Sequence, residues 1–133
     1  RAVLPHKTVA TRAGLGWIGK SCLLVTETFG SAVRISSLLT DAHLPADMPV
    51  TESRCKDCMI CVERCPAGAL TGVLWEPSVS REELFDRLSC RETQICLMEE
   101  ATGIATDLCG ICFAFCPYTL RYLNGENGER TAD

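Results

Sequence analysis

The sequence predicts an α+β fold in which a small segment with a β-hairpin and a glycine loop precedes a mostly helical, cysteine-rich domain. Three observations carry this reading. Of the ten cysteines, residues 1–49 hold one and residues 50–116 hold the other nine, so the chemistry is concentrated in the second part. Two stretches of strand formers, Ser21–Thr26 and Ala32–Leu39, flank the turn-like Thr28-Phe-Gly-Ser31. Ser80-Arg-Glu-Glu83 has the spacing of a capping box and opens a helical stretch.

In chain order, Pro5 suits the first turn of a helix running from His6 to Ala13, and Gly14 follows where a left-handed cap is wanted. The hairpin comes next, and Asp41–Pro49, with two prolines and no period, reads as a surface connection. Pro66-Ala-Gly-Ala-Leu70 is expected to be a short helical turn broken at Gly72. The capped helix runs through Leu84, Phe85 and Leu88 and delivers Cys90, and a further helix spans Glu92–Glu100 and ends near Gly103. The boundaries expected are 1–49 for the glycine-loop and hairpin segment, 50–123 for the cysteine-rich domain and 124–133 for a polar, flexible tail.

The second part opens on Cys55-x2-Cys58-x2-Cys61-x3-Cys65-Pro66, the ligand run of bacterial ferredoxins. In that run three thiolates hold one 4Fe-4S cluster and the fourth reaches another. A second, shortened run, Cys109-x2-Cys112-x3-Cys116-Pro117, makes a degenerate internal repeat. The expectation is a ferredoxin-like double-cluster domain. Cys55, Cys58 and Cys61 with Cys116 would hold one cluster, and Cys65, Cys109 and Cys112 would hold the other with a thiolate from Cys90 or Cys96. Cys90 is favoured because it ends a capped helix, whereas Cys96 lies in an apolar patch and Cys22 on a predicted strand, where a free cysteine packs as a small hydrophobe. Structural zinc is the nearest rival, but it ordinarily joins two separate Cys-x2-Cys pairs. Disulfides between cysteines this close would be strained.

The 133 residues bound one domain or one and a half. A formal charge of −4 gives no broad basic face for nucleic acid, and no run of eighteen apolar residues could span a membrane. Cluster thiolates imply a reducing compartment, expected to be the cytoplasm. The first residue is Arg1, which reads as the interior of a longer product.

Gly14-Leu-Gly16-Trp17-Ile-Gly19-Lys20-Ser21 matches both the dinucleotide and the phosphate-loop glycine patterns. Both need a strand before the loop and a helix after it, and here the predicted order is reversed. A glycine turn with Trp17 buried as packing stands beside them.

Taken together, Arg12-Ala-Gly-Leu-Gly-Trp-Ile-Gly-Lys20, Phe29-Gly-Ser31, Leu39-Thr-Asp41, Pro66-Ala-Gly-Ala-Leu70 and the eight cysteines resemble the second half of epoxyqueuosine reductase and its shorter relatives, from about Val9 to Tyr118. The resemblance implies two 4Fe-4S clusters, an eighth ligand from between the two runs, which favours Cys90, and cobalamin, with Gly14, Gly16, Trp17, Gly19 and Lys20 on the cobalamin side. It also implies a tRNA substrate. The family places a cobalamin-binding fold and a catalytic aspartate before the glycine loop, where this sequence has Leu4-Pro-His-Lys7, so no residue here takes the aspartate's role. Tyr118 stands where the family has tryptophan, and Ser36-Ser37 where it has glycine and glutamate.

Two functions follow as expectations. One is the electron-delivery part of a cobalamin-dependent reductase, partnered by an upstream cobalamin domain. The other is a free-standing ferredoxin-type carrier serving a redox partner protein. A non-redox alternative makes the clusters structural and the glycine loop a nucleotide or partner site.

Overall fold

The computed structural model describes residues 4–125. Helix α1, His6–Arg12, starts after Pro5, whose carbonyl accepts the Val9 N–H at 3.1 Å, so the proline caps the helix from just outside its first turn. Gly14 takes a φ of +72°, which turns the chain out of the helix and into strand β1, Trp17–Ile18. β1 pairs antiparallel with β2, Leu24–Val25, in the register Trp17 to Val25 and Ile18 to Leu24. The turn between them is closed by Gly19 N–H to Leu23 O at 2.9 Å and Cys22 N–H to Gly19 O at 2.8 Å.

The fold is α+β as expected, but the hairpin is built from different residues. Its first strand lies inside the glycine loop, its second is the end of the Ser21–Thr26 stretch, and Ala32–Leu39 forms no strand. The alternation in Ala32–Leu39 is real, since Val33 and Ile35 pack on the core, yet Leu38 and Leu39 are 92% and 84% exposed. Strand propensity becomes a strand only where a second backbone pairs with it, and among the described residues none lies alongside.

The core gathers Ala10, Ile18, Cys22, Leu24 and Leu84, with Trp75, Val79 and Phe85 against it, so it draws on residues from both sides of position 49. Helix α2, Ile60–Glu63, follows the first cysteines. Pro66–Leu70 is a turn, not a helix: Gly68 adopts a φ of +56°, and Leu70 bridges to Phe85. That bridge also breaks the expected helix. Ser80 and Glu83 form the full capping box of α3, Arg81–Leu84, but Phe85 is then extended (φ −163°, ψ 149°) and Asp86 caps a new helix, α4, Arg87–Thr102, by accepting the Leu88 and Ser89 N–H groups. Cys90 therefore sits in the first turn of α4 rather than at the end of the capped helix. α4 ends as expected at Gly103, left-handed at φ +72°.

Helix α5, Ile111–Ala114, repeats α2 in the second cysteine run and packs against it. Helix α6, Pro117–Leu123, returns to the start of the chain. Thr119 on α6 is fully buried and accepts the Ser31 N–H at 3.0 Å. Of the tail expected at 124–133, residues 126–133 lie outside the described residues.

Candidate metal centre

The first cysteine loop is a tight turn. Cys58 N–H donates to Cys55 O at 3.0 Å, and Lys56 adopts a φ of +47°, a conformation uncommon away from glycine. α2 then carries Cys61, and Cys116 enters from the far end of the sequence as the cap residue of α6. These four thiols line a cavity of about 440 Å³ together with Lys20 and Tyr118. Burial is the main cause that pushes the Cys61 thiol up to about 11, helped by the charges of Cys55, Cys112, Cys58 and Cys116.

Cys65, Cys90, Cys109 and Cys112 line a second cavity of about 680 Å³. Burial and then Cys109, Cys65 and Cys90 push Cys112 up to about 11. Cys90 is raised by burial and, less, by Cys65 and Cys109, against a lowering hydrogen bond from Gln94. Gln94 was not marked by the sequence reading. One helical turn beyond Cys90, its Nε2 donates to the Cys90 sulfur at 3.0 Å, and the i, i+4 spacing on a helix was the only available signal. Cys112 borders both cavities, so α5 forms a wall between them.

All ten cysteines are free thiols. Cys96 is exposed and lines neither cavity. Cys22 is buried in the core at the edge of the second cavity, with a φ of +57° and its carbonyl accepting the Lys7 amine at 2.5 Å. Among the described residues no three Cys, His, Asp or Glu side chains converge tightly enough for a single metal ion. A zinc ion draws its sulfurs to about 2.3 Å from one point. Here the sulfurs stand around a space instead, and each cavity offers the four thiols that a 4Fe-4S cluster takes.

The glycine loop turns inward. A Cβ on Gly16 would stand 2.1 Å from the Val25 carbonyl oxygen, and one on Gly19 would stand 2.8 Å from the Val25 side chain and 3.5 Å from Cys55 Sγ. The glycines thus allow the two strands of the hairpin to close on one another, with Gly19 facing Cys55 at an ordinary contact distance. Trp17 is 1% exposed, meets Tyr118 edge-on and lies under Arg54. Lys20 is 5% exposed and its amine donates to the Lys56 carbonyl at 2.7 Å. The loop follows a helix and leads into a strand, the reverse of a phosphate loop, and its lysine is engaged by the cysteine turn. Of the five loop residues expected on the cofactor side, Gly14 is partly exposed, while Gly16, Trp17, Gly19 and Lys20 are buried. Among the described residues no helix is long and apolar enough to cross a membrane.

Comparison with known proteins agrees with the thiol geometry. The family described as 4Fe-4S double cluster binding domain matches residues 54–119. The chain is similar to the epoxyqueuosine reductase of Synechococcus sp. (strain RCC307), 36% identical over 135 residues that cover 99% of this chain and 38% of that protein. It is 42% identical over 67 residues to the Bacillus anthracis epoxyqueuosine reductase, covering 50% of this chain and 17% of that protein. To the Escherichia coli (strain K12) epoxyqueuosine reductase it is 41% identical over 69 residues, covering 52% and 18%. The chain thus spans less than two fifths of the length of these relatives. No solved structure matches it. Two cavities that each gather one of the expected thiol quartets, a matching double-cluster domain and a similarity along nearly the whole chain lead to one conclusion: the protein is an epoxyqueuosine reductase-like iron–sulfur protein that carries a 4Fe-4S double cluster binding domain.

Proposed function

We propose that this chain is the electron-delivery part of an epoxyqueuosine reductase-like, cobalamin-dependent reductase, whose corrinoid is held by sequence outside these residues. Cys55, Cys58, Cys61 and Cys116 bind one 4Fe-4S cluster, and Cys65, Cys90, Cys109 and Cys112 bind the other. Bound clusters of this kind supply transfer of single electrons. The observation that carries the reading is the position of Cys112 on the wall common to both cavities. That wall is α5, which packs against α2, so the two centres are adjacent.

The chain's own residues then have distinct tasks. The Cys55–Cys61 turn and the α6 cap bring four thiols to one cavity, Gln94 donates to the Cys90 sulfur, and Ile111 and Phe113 flank the ligand on α5. The inward-turned loop favours a corrinoid held by other sequence. The relatives' name also makes epoxyqueuosine the proposed substrate of the whole reductase.

The test is anaerobic reconstitution followed by iron analysis, with and without the region upstream of Arg1. About eight irons per chain are expected from two four-iron sites. Corrinoid retention is expected only with the upstream region restored. Eight irons without corrinoid in the restored protein would favour a free-standing ferredoxin-type carrier.

A further inference from the structure

The first cavity carries one buried charge that thiol ligation does not use. Lys20 comes off the β-hairpin turn into the protein, where it is 5% exposed. Its amine donates to the Lys56 carbonyl at 2.7 Å and meets the Met59 sulfur at 3.3 Å, both on the Cys55–Cys61 stretch, and it lines the cavity with the four thiols. These partners are a neutral carbonyl and a thioether, and among the described residues no carboxylate pairs with the amine. The other cations on this cavity are of a different kind. Arg54 is exposed, pairs with Glu27 and lies over Trp17, Arg121 is exposed and lies over Tyr118, and the Lys56 side chain is exposed. Water and salt screen those three, along with the exposed anion Asp57, whereas the field of a buried ammonium passes through protein.

We propose that Lys20 is a positioning residue of the first cluster, holding the Cys55–Cys61 turn in ligating shape and stabilising the reduced cluster through its buried positive charge. The inference rests on the reading that Cys55, Cys58, Cys61 and Cys116 bind a 4Fe-4S cluster. Reduction takes one electron from an external one-electron donor and adds one negative charge to the cluster. A fixed cation beside the cavity stabilises that product more than the oxidised form and raises the potential. The glycine loop places it there: Gly16 and Gly19 let the hairpin strands close on one another, Gly19 faces Cys55, and the next residue, Lys20, is buried with its amine on the Lys56 carbonyl.

The experiment compares the full chain with Lys20→Gln, Lys20→Met and Lys20→Arg after anaerobic reconstitution. Iron is counted first, and each cluster is then titrated with low-potential one-electron mediators while its paramagnetic signal is followed. A Cys58→Ser chain, in which only the second cluster should remain, identifies the two signals. Lys20→Gln keeps an N–H donor for the Lys56 carbonyl without the charge. It should load both clusters and lower the first cluster's reduction equilibrium about tenfold against the same mediator, a shift of about 59 mV to more negative potential. The second cluster should not move, and Lys20→Arg should restore the first. If Gln and Met variants both titrate within roughly threefold of the unaltered chain, corresponding to less than about 30 mV, the inference is overturned. It is equally overturned if both lose the first cluster while Arg keeps it, because Lys20 would then hold the turn without tuning it. Failure of the underlying reading looks different: the unaltered chain would stop at about four irons, or Cys58→Ser would leave the iron count unchanged.

Discussion

Cys112 borders the cavities of both thiol quartets and acts electrostatically on Cys61, the helical cysteine of the other run. Centres this close should sense each other. The paramagnetic spectrum of the fully reduced chain should therefore differ from the sum of two single-cluster variants, Cys58→Ser and Cys109→Ser. A spectrum equal to that sum would mean the two centres are not neighbours in the loaded protein.

Ligand and packing cysteines should separate cleanly by iron content. Cys90→Ser should lose or convert the second cluster, leaving about four to seven irons of the eight expected for two clusters. Cys96→Ser, on an exposed position, should keep both clusters and full stability. Cys22→Ser should keep both but cost on the order of 1 kcal/mol in a denaturant titration, from placing a hydroxyl in the core. Loss of iron from Cys96→Ser would assign the eighth ligand wrongly.

Loading should be easier at higher pH. In the cluster-free chain Cys61 and Cys112 are held as thiols, up to about 11 from an ordinary 9.0, with burial as the first cause. Cluster binding takes thiolates and must release those protons, so apparent affinity should rise as pH climbs from 7 to 9. The cluster-free fold behaves oppositely. Its folded-state values lie above the unfolded one, so this stabilisation is complete below about 9 and is lost as pH rises through about 11. Chemical denaturation of cluster-free protein across pH 8 to 11, beside iron loading over the lower range, checks both signs.

Gly16→Ala should be among the most damaging substitutions in the first segment. Its Cβ would stand 2.1 Å from the Val25 carbonyl oxygen, so the hairpin must shift, at about 1–3 kcal/mol or more. Gly68→Ala meets no neighbour and suffers only its φ of +56°, about 1–2 kcal/mol. Thermal unfolding of the two cluster-loaded variants should rank Gly16→Ala lower, and the reverse order would mean the hairpin is looser than its geometry.

Magnesium-ATP and NADH should give no heat of binding in calorimetric titration, and Lys20→Ala should not change that, since Lys20 is occupied by the Lys56 carbonyl. A micromolar constant abolished by Lys20→Ala would overturn this reading of the loop.

Seven of the eight proposed cluster cysteines were legible because thiolate ligation repeats at short spacings, so Cys55 to Cys65 and Cys109 to Cys116 announce themselves locally, whereas Cys90 stands outside both runs. Gly14 and Gly103 were legible for a similar reason, since a left-handed cap is a local need. The misplaced features depend on distant partners. Ala32–Leu39 has the composition of a strand and lacks a paired backbone, while Trp17–Ile18 is a strand because Leu24–Val25 returns beside it. The break at Phe85 comes from its bridge to Leu70, which no capping rule at Ser80 anticipates. The order of elements already argued against a phosphate loop at Lys20, but its actual partner, the Lys56 carbonyl, lies 36 positions away and carries no side-chain signature.

Cys116 reaches the first cavity as the cap of α6, a helix anchored by Thr119 beneath the Gly30–Ser31 turn. During synthesis on a ribosome, Cys55, Cys58 and Cys61 emerge long before their fourth companion, and Cys65 waits likewise for Cys109 and Cys112. Neither quartet is complete until nearly all of the chain described here has been made. A nascent chain stalled before Cys109 should therefore expose five unfilled ligand thiols to oxidants, and iron delivery should be timed to the release of α6 rather than to the first appearance of the cysteine run.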